Sequence, residues 1–163
     1  MNKKLATKPN ILLETSIFGF YYDTAFCNAE KMEATKLLLQ KLNKKCYDGC
    51  ISDYIYGELM EYKNKELFER LLKLYPIKIL DTQKYSKKID KLAKEFLKEK
   101  IIPKTKPDDA LHLASGIIIP VIDILVSFNY KHIINLQVIE QAKIIAQKFG
   151  YKFHLNIYSP FSL

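Results

Sequence analysis

Asn10-Ile11-Leu12-Leu13-Glu14 is the stretch on which the fold turns: three aliphatic residues in a row, ended at once by a carboxylate. A short apolar run without alternation suits a strand covered on both faces, as in a parallel sheet. Working outward, Gly49-Cys50-Ile51-Ser52, Ile77-Lys78-Ile79-Leu80 and Ile122 to Phe128 read as further strands. Tyr151 to Tyr158 alternates Phe153, Leu155 and Ile157 with Lys152, His154 and Asn156, which predicts a strand with one wetter face near the sheet edge. Between these runs lie helical patterns: Glu30 to Lys45, Ser52 or Asp53 through Glu58, Asn64 to Tyr75, Ser86 to Lys100, Asp108 to Ile119 opened by Pro107, and Gln137 to Phe149 closed by Gly150. Strands alternating with helices predict an α/β fold, a three-layer α/β/α sandwich around a central, mainly parallel five-stranded sheet. Residues 1–163 read as a single domain without repeats or linkers.

The 163 residues match one compact domain, and a chain of that length buries roughly 70% of its unfolded surface without staples. Apolar residues at 48% and only 5 Gly and 6 Pro exclude collagen-like and largely disordered chains. Three cysteines, Cys27, Cys46 and Cys50, are too few and odd in number for a disulfide framework, so a cytoplasmic setting is expected. Lys3 and Lys4 open no signal peptide, because the apolar run that follows stops on Glu14; no segment approaches the ~20 residues of a membrane span. The net charge of +8 favours a polyanion, nucleic acid first, although a lysine-rich composition is the plainer source. Arg70 is the one arginine among 26 basic residues, so contact with a phosphate backbone fits better than bidentate reading of bases.

The informative residues are carboxylates where carboxylates are costly. Glu14 falls at the carboxyl end of the first strand, the edge at which open α/β sheets bind ligands. The plainer alternative is that it leaves the sheet for solvent or caps the segment from Thr15. Glu58, at about 100° per residue, lies within a turn of Tyr54, Ile55, Leu59 and Tyr62, whereas Glu61 points away. It either meets a cation or donors, or reaches back to water at the rim. Asp108 and Asp109 follow Pro107 in a first helical turn, where the helix dipole alone accounts for an acid. Asp109 sits nearer the packed side, and Asp108 is a supporting candidate. Ser127-Phe128-Asn129 ends the fourth strand on polar groups at the same edge. Four segments thus aim oxygen-bearing side chains at one crevice. Without a Cys and His cluster, a hard cation is expected, Mg²⁺ or Mn²⁺ before Zn²⁺. Such ions in a basic protein suit phosphodiester hydrolysis.

Leu13-Glu14-Thr15-Ser16-Ile17-Phe18, Ser52-Asp53-Tyr54-Ile55-Tyr56-Gly57-Glu58-Leu59, Asp108-Asp109-Ala110-Leu111-His112-Leu113-Ala114 and Leu125-Val126-Ser127-Phe128-Asn129-Tyr130-Lys131-His132-Ile133 resemble the PIN domain family, in order and over almost the whole chain. The resemblance implies a metal-dependent ribonuclease fold. Many small bacterial and archaeal members are VapC-type toxins neutralised by an antitoxin, and a homodimer is expected by the same analogy. It implies Glu14, Glu58 and Asp109 as catalytic, metal-holding acids, with Asn129 at the fourth acidic place. Thr15 or Ser16 would meet the scissile phosphate, and Ser127 would support the metal. The family usually carries Asp where this chain has Glu14, and many members carry Asp at the place of Asn129, so reduced activity is also expected.

Weaker signals carry plainer readings. Cys46 and Cys50 lack the second pair or nearby His of a zinc site and read as ordinary small residues. His112 reads as a packing or supporting group rather than a general base, His132 as a residue that orders its loop or contacts phosphate, and His154 as surface. Phe20, Tyr21 and Tyr22 can stack on single-stranded bases, form a partner surface, or pack over the sheet edge. Lys84 to Lys106 is a mostly solvated basic face, within which Lys104 and Lys106 are the phosphate candidates. The expected function is cleavage of single-stranded RNA with Mg²⁺ or Mn²⁺, as a toxin. The rival is a degenerate PIN-like module that binds RNA or a protein without cutting. A nucleotide-binding domain is the third reading, and no glycine-rich phosphate loop supports it.

Overall fold

A computed structural model describes residues 8–22 and 28–163; Cys27, Lys3 and Lys4 lie outside the described residues. The fold is α/β, with seven helices among the described residues packed on a five-stranded, all-parallel sheet as a three-layer α/β/α sandwich. The strands are β1 (Asn10–Leu13), β2 (Asp48–Ser52), β3 (Ile77–Leu80), β4 (Ile124–Val126) and β5 (Asn156–Tyr158). The helices are α1 (Thr15–Tyr22), α2 (Ala29–Asn43), α3 (Asp53–Glu61), α4 (Lys65–Leu74), α5 (Ser86–Lys98), α6 (Pro107–Ile118) and α7 (Leu136–Lys148).

The sheet order is β3-β2-β1-β4-β5. The chain therefore builds outward from β1 on one side, then returns to build β4 and β5 on the other. The reversal leaves a crevice at the carboxyl ends of β1 and β4, where ligands bind in open parallel sheets. β1 lies at the centre, and Ile11, Leu12 and Leu13 are fully buried. Each such side chain contributes about 1.5–3 kcal/mol by leaving water. The β1–β4 register continues one step past the strands, because the Glu14 N–H donates to the Val126 carbonyl at 3.0 Å. Glu14 and Ser127 are thereby fixed side by side at the mouth of the crevice.

Three stretches differ from the sequence expectation. The segment from Thr15, to which the sequence assigned no element, is a helix in its own right, and its apolar residues Ile17 and Phe18 bury against the core. β4 is shorter than Ile122 to Phe128, because Pro120 to Asp123 is used to turn the chain, and Asp123 accepts the Asn10 N–H at 2.8 Å. Only Asn156–Tyr158 of the last apolar alternation pairs in the sheet, as an edge strand. The residues before it run irregularly, and His154 is half-buried rather than surface, its Nε2 donating to the Ile122 carbonyl at 3.0 Å. Capping follows the sequence more closely. Ser52 caps α3 through the Ile55 N–H at 3.2 Å, and Gly150, at φ +77°, ends α7 in the left-handed region. Phe20 packs edge-on against Phe128, and Tyr21 meets Tyr75, so these two members of the aromatic cluster cover the core. Cys46 and Cys50 are free; Cys50 donates its thiol to the Ile11 carbonyl at 3.3 Å, and burial pushes that thiol up to about 12.

Candidate metal centre

Glu14 closes β1 and is 3% exposed. A carboxylate in such a place is tolerable only with donors around it, and the adjoining elements supply them. Oε1 accepts the Thr15 hydroxyl at 2.5 Å. Oε2 accepts the Ser16 N–H at 3.2 Å, the Ser16 hydroxyl at 2.5 Å and the Ser127 hydroxyl at 2.7 Å. The first three bonds come from the opening turn of α1, so Glu14 does cap that helix, as the plainer alternative proposed. The fourth crosses the β1–β4 crevice. Capping and site are one arrangement.

The remaining neighbour of Glu14 comes from α6. His112, 1% exposed, places Nδ1 3.7 Å from Glu14 Oε1 and Nε2 3.3 Å from Glu58 Oε2. At 3.7 Å the Glu14 contact is an ion-pair distance rather than a hydrogen bond. Burial alone would raise the proton affinity of Glu14; the imidazole, with the hydroxyls of Ser16 and Thr15, outweighs it and holds the carboxyl at about 2, below the ordinary 4.5. For His112, burial lowers the proton affinity, but Glu14, Glu58 and Asp109 override it and raise the pKa above 6.5. Glu58 moves upward, first through burial and then through Glu14 and Asp108, with His112 opposing.

Asp109 enters from the same helix, one turn before His112. Donor atoms of Glu14, Asp109 and His112 lie within 4.8 Å of one another, and this buried cluster can hold a metal ion. Asp109 is fixed by a residue that the sequence left in a loop: His132 Nδ1 lies 2.7 Å from Asp109 Oδ2. His132 is delivered by the turn after β4. Asn129 Oδ1 accepts the His132 N–H at 3.0 Å, and Ser127 Oγ accepts the Asn129 N–H at 2.8 Å while donating to Glu14. A single hydrogen-bonded chain thus runs from Glu14 through Ser127, Asn129 and His132 to Asp109. Ser127 supports Glu14, and Asn129 spends its side-chain oxygen on this turn.

Of the cluster, Asp109 lines a cleft of about 550 Å³ together with Thr15, Ser16, Glu58 and Lys106, whereas Glu14 and His112 are buried and do not line it. Tyr22, from the aromatic cluster, and Tyr62 line it too. Tyr62 donates its hydroxyl to Glu58 Oε1 at 3.3 Å. Glu58 therefore stands in the cleft, beside His112 rather than in the group that closes on one point. Asp108 faces a neighbouring depression on the other side of Glu58, shared with Asp53 and Glu61. Lys104 is exposed and is not among the cleft-lining residues.

Sequence reasoning brought Glu14, Asp109, Glu58, Thr15, Ser16, Ser127 and Lys106 to one region and gave the two imidazoles only supporting parts, His112 in packing or support and His132 in ordering its loop. The signal for His112 was present: Asp109-x-x-His112 is an i, i+3 pair, which puts both side chains on one helix face. For His132 only its distance of three residues from Asn129 hinted at a turn. No family model matches the chain, and no curated protein matches it.

Proposed function

We propose that the protein is a metal-dependent endoribonuclease of PIN type, acting on single-stranded RNA as the toxin of a toxin–antitoxin pair. The observation that carries the proposal is the convergence of Glu14, Asp109 and His112, brought together from β1 and α6, in a cluster whose Asp109 lines a cleft that also holds Glu58 and Lys106. The oxygen-rich donor set fits Mg²⁺ or Mn²⁺. A divalent ion bound there supplies activation of water and stabilisation of the leaving oxygen. The chain's own groups do the rest. Glu14 and Asp109 are held rigid by their hydrogen-bonded chain, so little reorganisation is needed on binding. Lys106 offsets the repulsion between an acidic floor and an incoming phosphate. Tyr22 and Tyr62 line the cleft, and aromatic side chains there suit stacking on unstacked bases, which favours single strands.

The basic excess of the whole chain gathers the polyanion. A toxin of this kind requires an antitoxin, and the family resemblance adds a homodimer in the cytoplasm. Among the described residues, no helix is long and apolar enough to cross a membrane.

One observation favours the non-cutting alternative. Both oxygens of Glu14 already accept protein donors, as a purely structural carboxylate would. Incubation with single-stranded RNA and Mn²⁺ separates the two readings. The nuclease predicts cleavage that EDTA abolishes and that Asp109→Asn reduces at least about 10²-fold. Absence of cleavage over several RNAs, with RNA still bound, supports the binding module.

A further inference from the structure

We infer that His112 is itself a metal ligand: an imidazole nitrogen joins carboxylate oxygens of Glu14 and Asp109 on one ion, making a mixed nitrogen–oxygen site that prefers Mn²⁺ over Mg²⁺. The inference deepens the proposed function by naming the ion of that site, and it rests on the metal-dependent part of that reading.

A histidine that merely packs in a core satisfies its ring nitrogens with backbone carbonyls or hydroxyls. His112 does not. It is 1% exposed, and neither Nδ1 nor Nε2 has a hydrogen-bond partner. Glu58 Oε2, which faces it at 3.3 Å, is also without one. Buried polar atoms are rarely left without hydrogen bonds, so three together at one point mark a place built for something else. The ring lies within 4.8 Å of donor oxygens on Glu14 and Asp109. Donors at bonds of about 2.1 Å to one ion stand about 3.0 Å apart when adjacent and about 4.2 Å when opposite. The set is therefore near enough to close on an ion by small side-chain movements. His132 also leaves its Nε2 without a partner, but it is not part of the cluster that closes on one point. Its Nδ1 is spent on Asp109 at 2.7 Å, which makes it a positioning residue that aims the carboxylate.

The nitrogen decides between Mn²⁺ and Mg²⁺. Mg²⁺ is a hard cation that takes oxygen and sheds water reluctantly, whereas affinity for an imidazole-bearing site rises along the first-row divalent series from Mn²⁺ onward. Glu14 and Asp109 keep enough oxygen character for Mn²⁺. An all-carboxylate site would discriminate far less between the two.

The test uses the purified full chain, free of RNA, with Mn²⁺ as the probe and Mg²⁺ as competitor. Pulsed electron paramagnetic resonance reads nitrogen coupling to bound Mn²⁺ directly. Wild type should show ¹⁴N modulation and prefer Mn²⁺ by about tenfold or more. His112→Asn should lose the modulation and bring the two affinities to within about threefold, with circular dichroism reporting that the fold is intact. His132→Gln should keep the modulation, and so assigns it to His112 even if the His112 variant fails to fold. Bound Mn²⁺ without ¹⁴N modulation in wild type, modulation that survives His112→Asn, or modulation lost in a folded His132→Gln would overturn the assignment. RNA that goes uncleaved by a protein holding nitrogen-coupled Mn²⁺ would sink the nuclease reading and leave this site standing.

Discussion

At the scale of single residues, the protein is defined by how it makes a buried carboxylate tolerable. Glu14 is neutralised by an imidazole and bonded by three side chains, and its proton affinity drops accordingly. Because its folded pKa, about 2, lies below the ordinary 4.5, the unfolded chain binds more protons between those values. Stability from this group is then complete above pH ~4.5 and is lost as the pH falls toward 2. In EDTA, denaturant titrations across that window should show an acid limb, and Glu14→Gln should remove up to about 1.4 kcal/mol per pH unit of its slope. An unchanged slope would mean that Glu14 is protonated or exposed. His132 gives a second prediction at this scale. His132→Gln loosens Asp109 without touching the ion, so Mn²⁺ affinity by calorimetry should fall about tenfold, with the melting profile little changed.

Elements carry these residues to one place, and each does so by a local rule. Ser52 ends β2 and caps α3, the helix that holds Glu58. Ser52→Ala should cost about 1 kcal/mol in urea unfolding. A loss near zero would show the cap to be idle. Gly150→Ala, at φ +77°, should cost about 1–2 kcal/mol through left-handed strain alone.

Legibility in the sequence follows the same division. The parallel sheet was readable because β1 and β4 are unbroken apolar runs, and α3, α5 and α6 because their apolar residues recur at helical spacing. α1 was not, since Ile17, Phe18, Phe20, Tyr21 and Tyr22 are apolar all round one short segment and give no contrast between faces. The last strand was overextended because residues 151–155 alternate in type without pairing. At the site, the acids were legible from their cost at apolar positions. The imidazoles were not, because a lone histidine carries no such penalty in sequence and gains meaning only from the partner that folding brings.

At the scale of the whole molecule, a basic chain surrounds an acidic centre. The charge excess and the cleft carboxylates act at different ranges, attraction over about a Debye length and ion binding on contact. Single-stranded RNA binding by the Asp109→Asn variant should weaken with salt, with a log–log slope that Lys106→Ala makes shallower by about 0.7. A slope that Lys106 does not affect would place the strand elsewhere. The central claim also belongs to this scale, because residues separated by most of the chain meet only when the sheet reverses direction beside β1. Crystals grown with Mn²⁺ and measured at the manganese absorption edge test it most directly. One anomalous peak within bonding distance of Glu14, Asp109 and His112 is the predicted result; a fully ordered site with no peak, or a peak that avoids these three side chains, would contradict it.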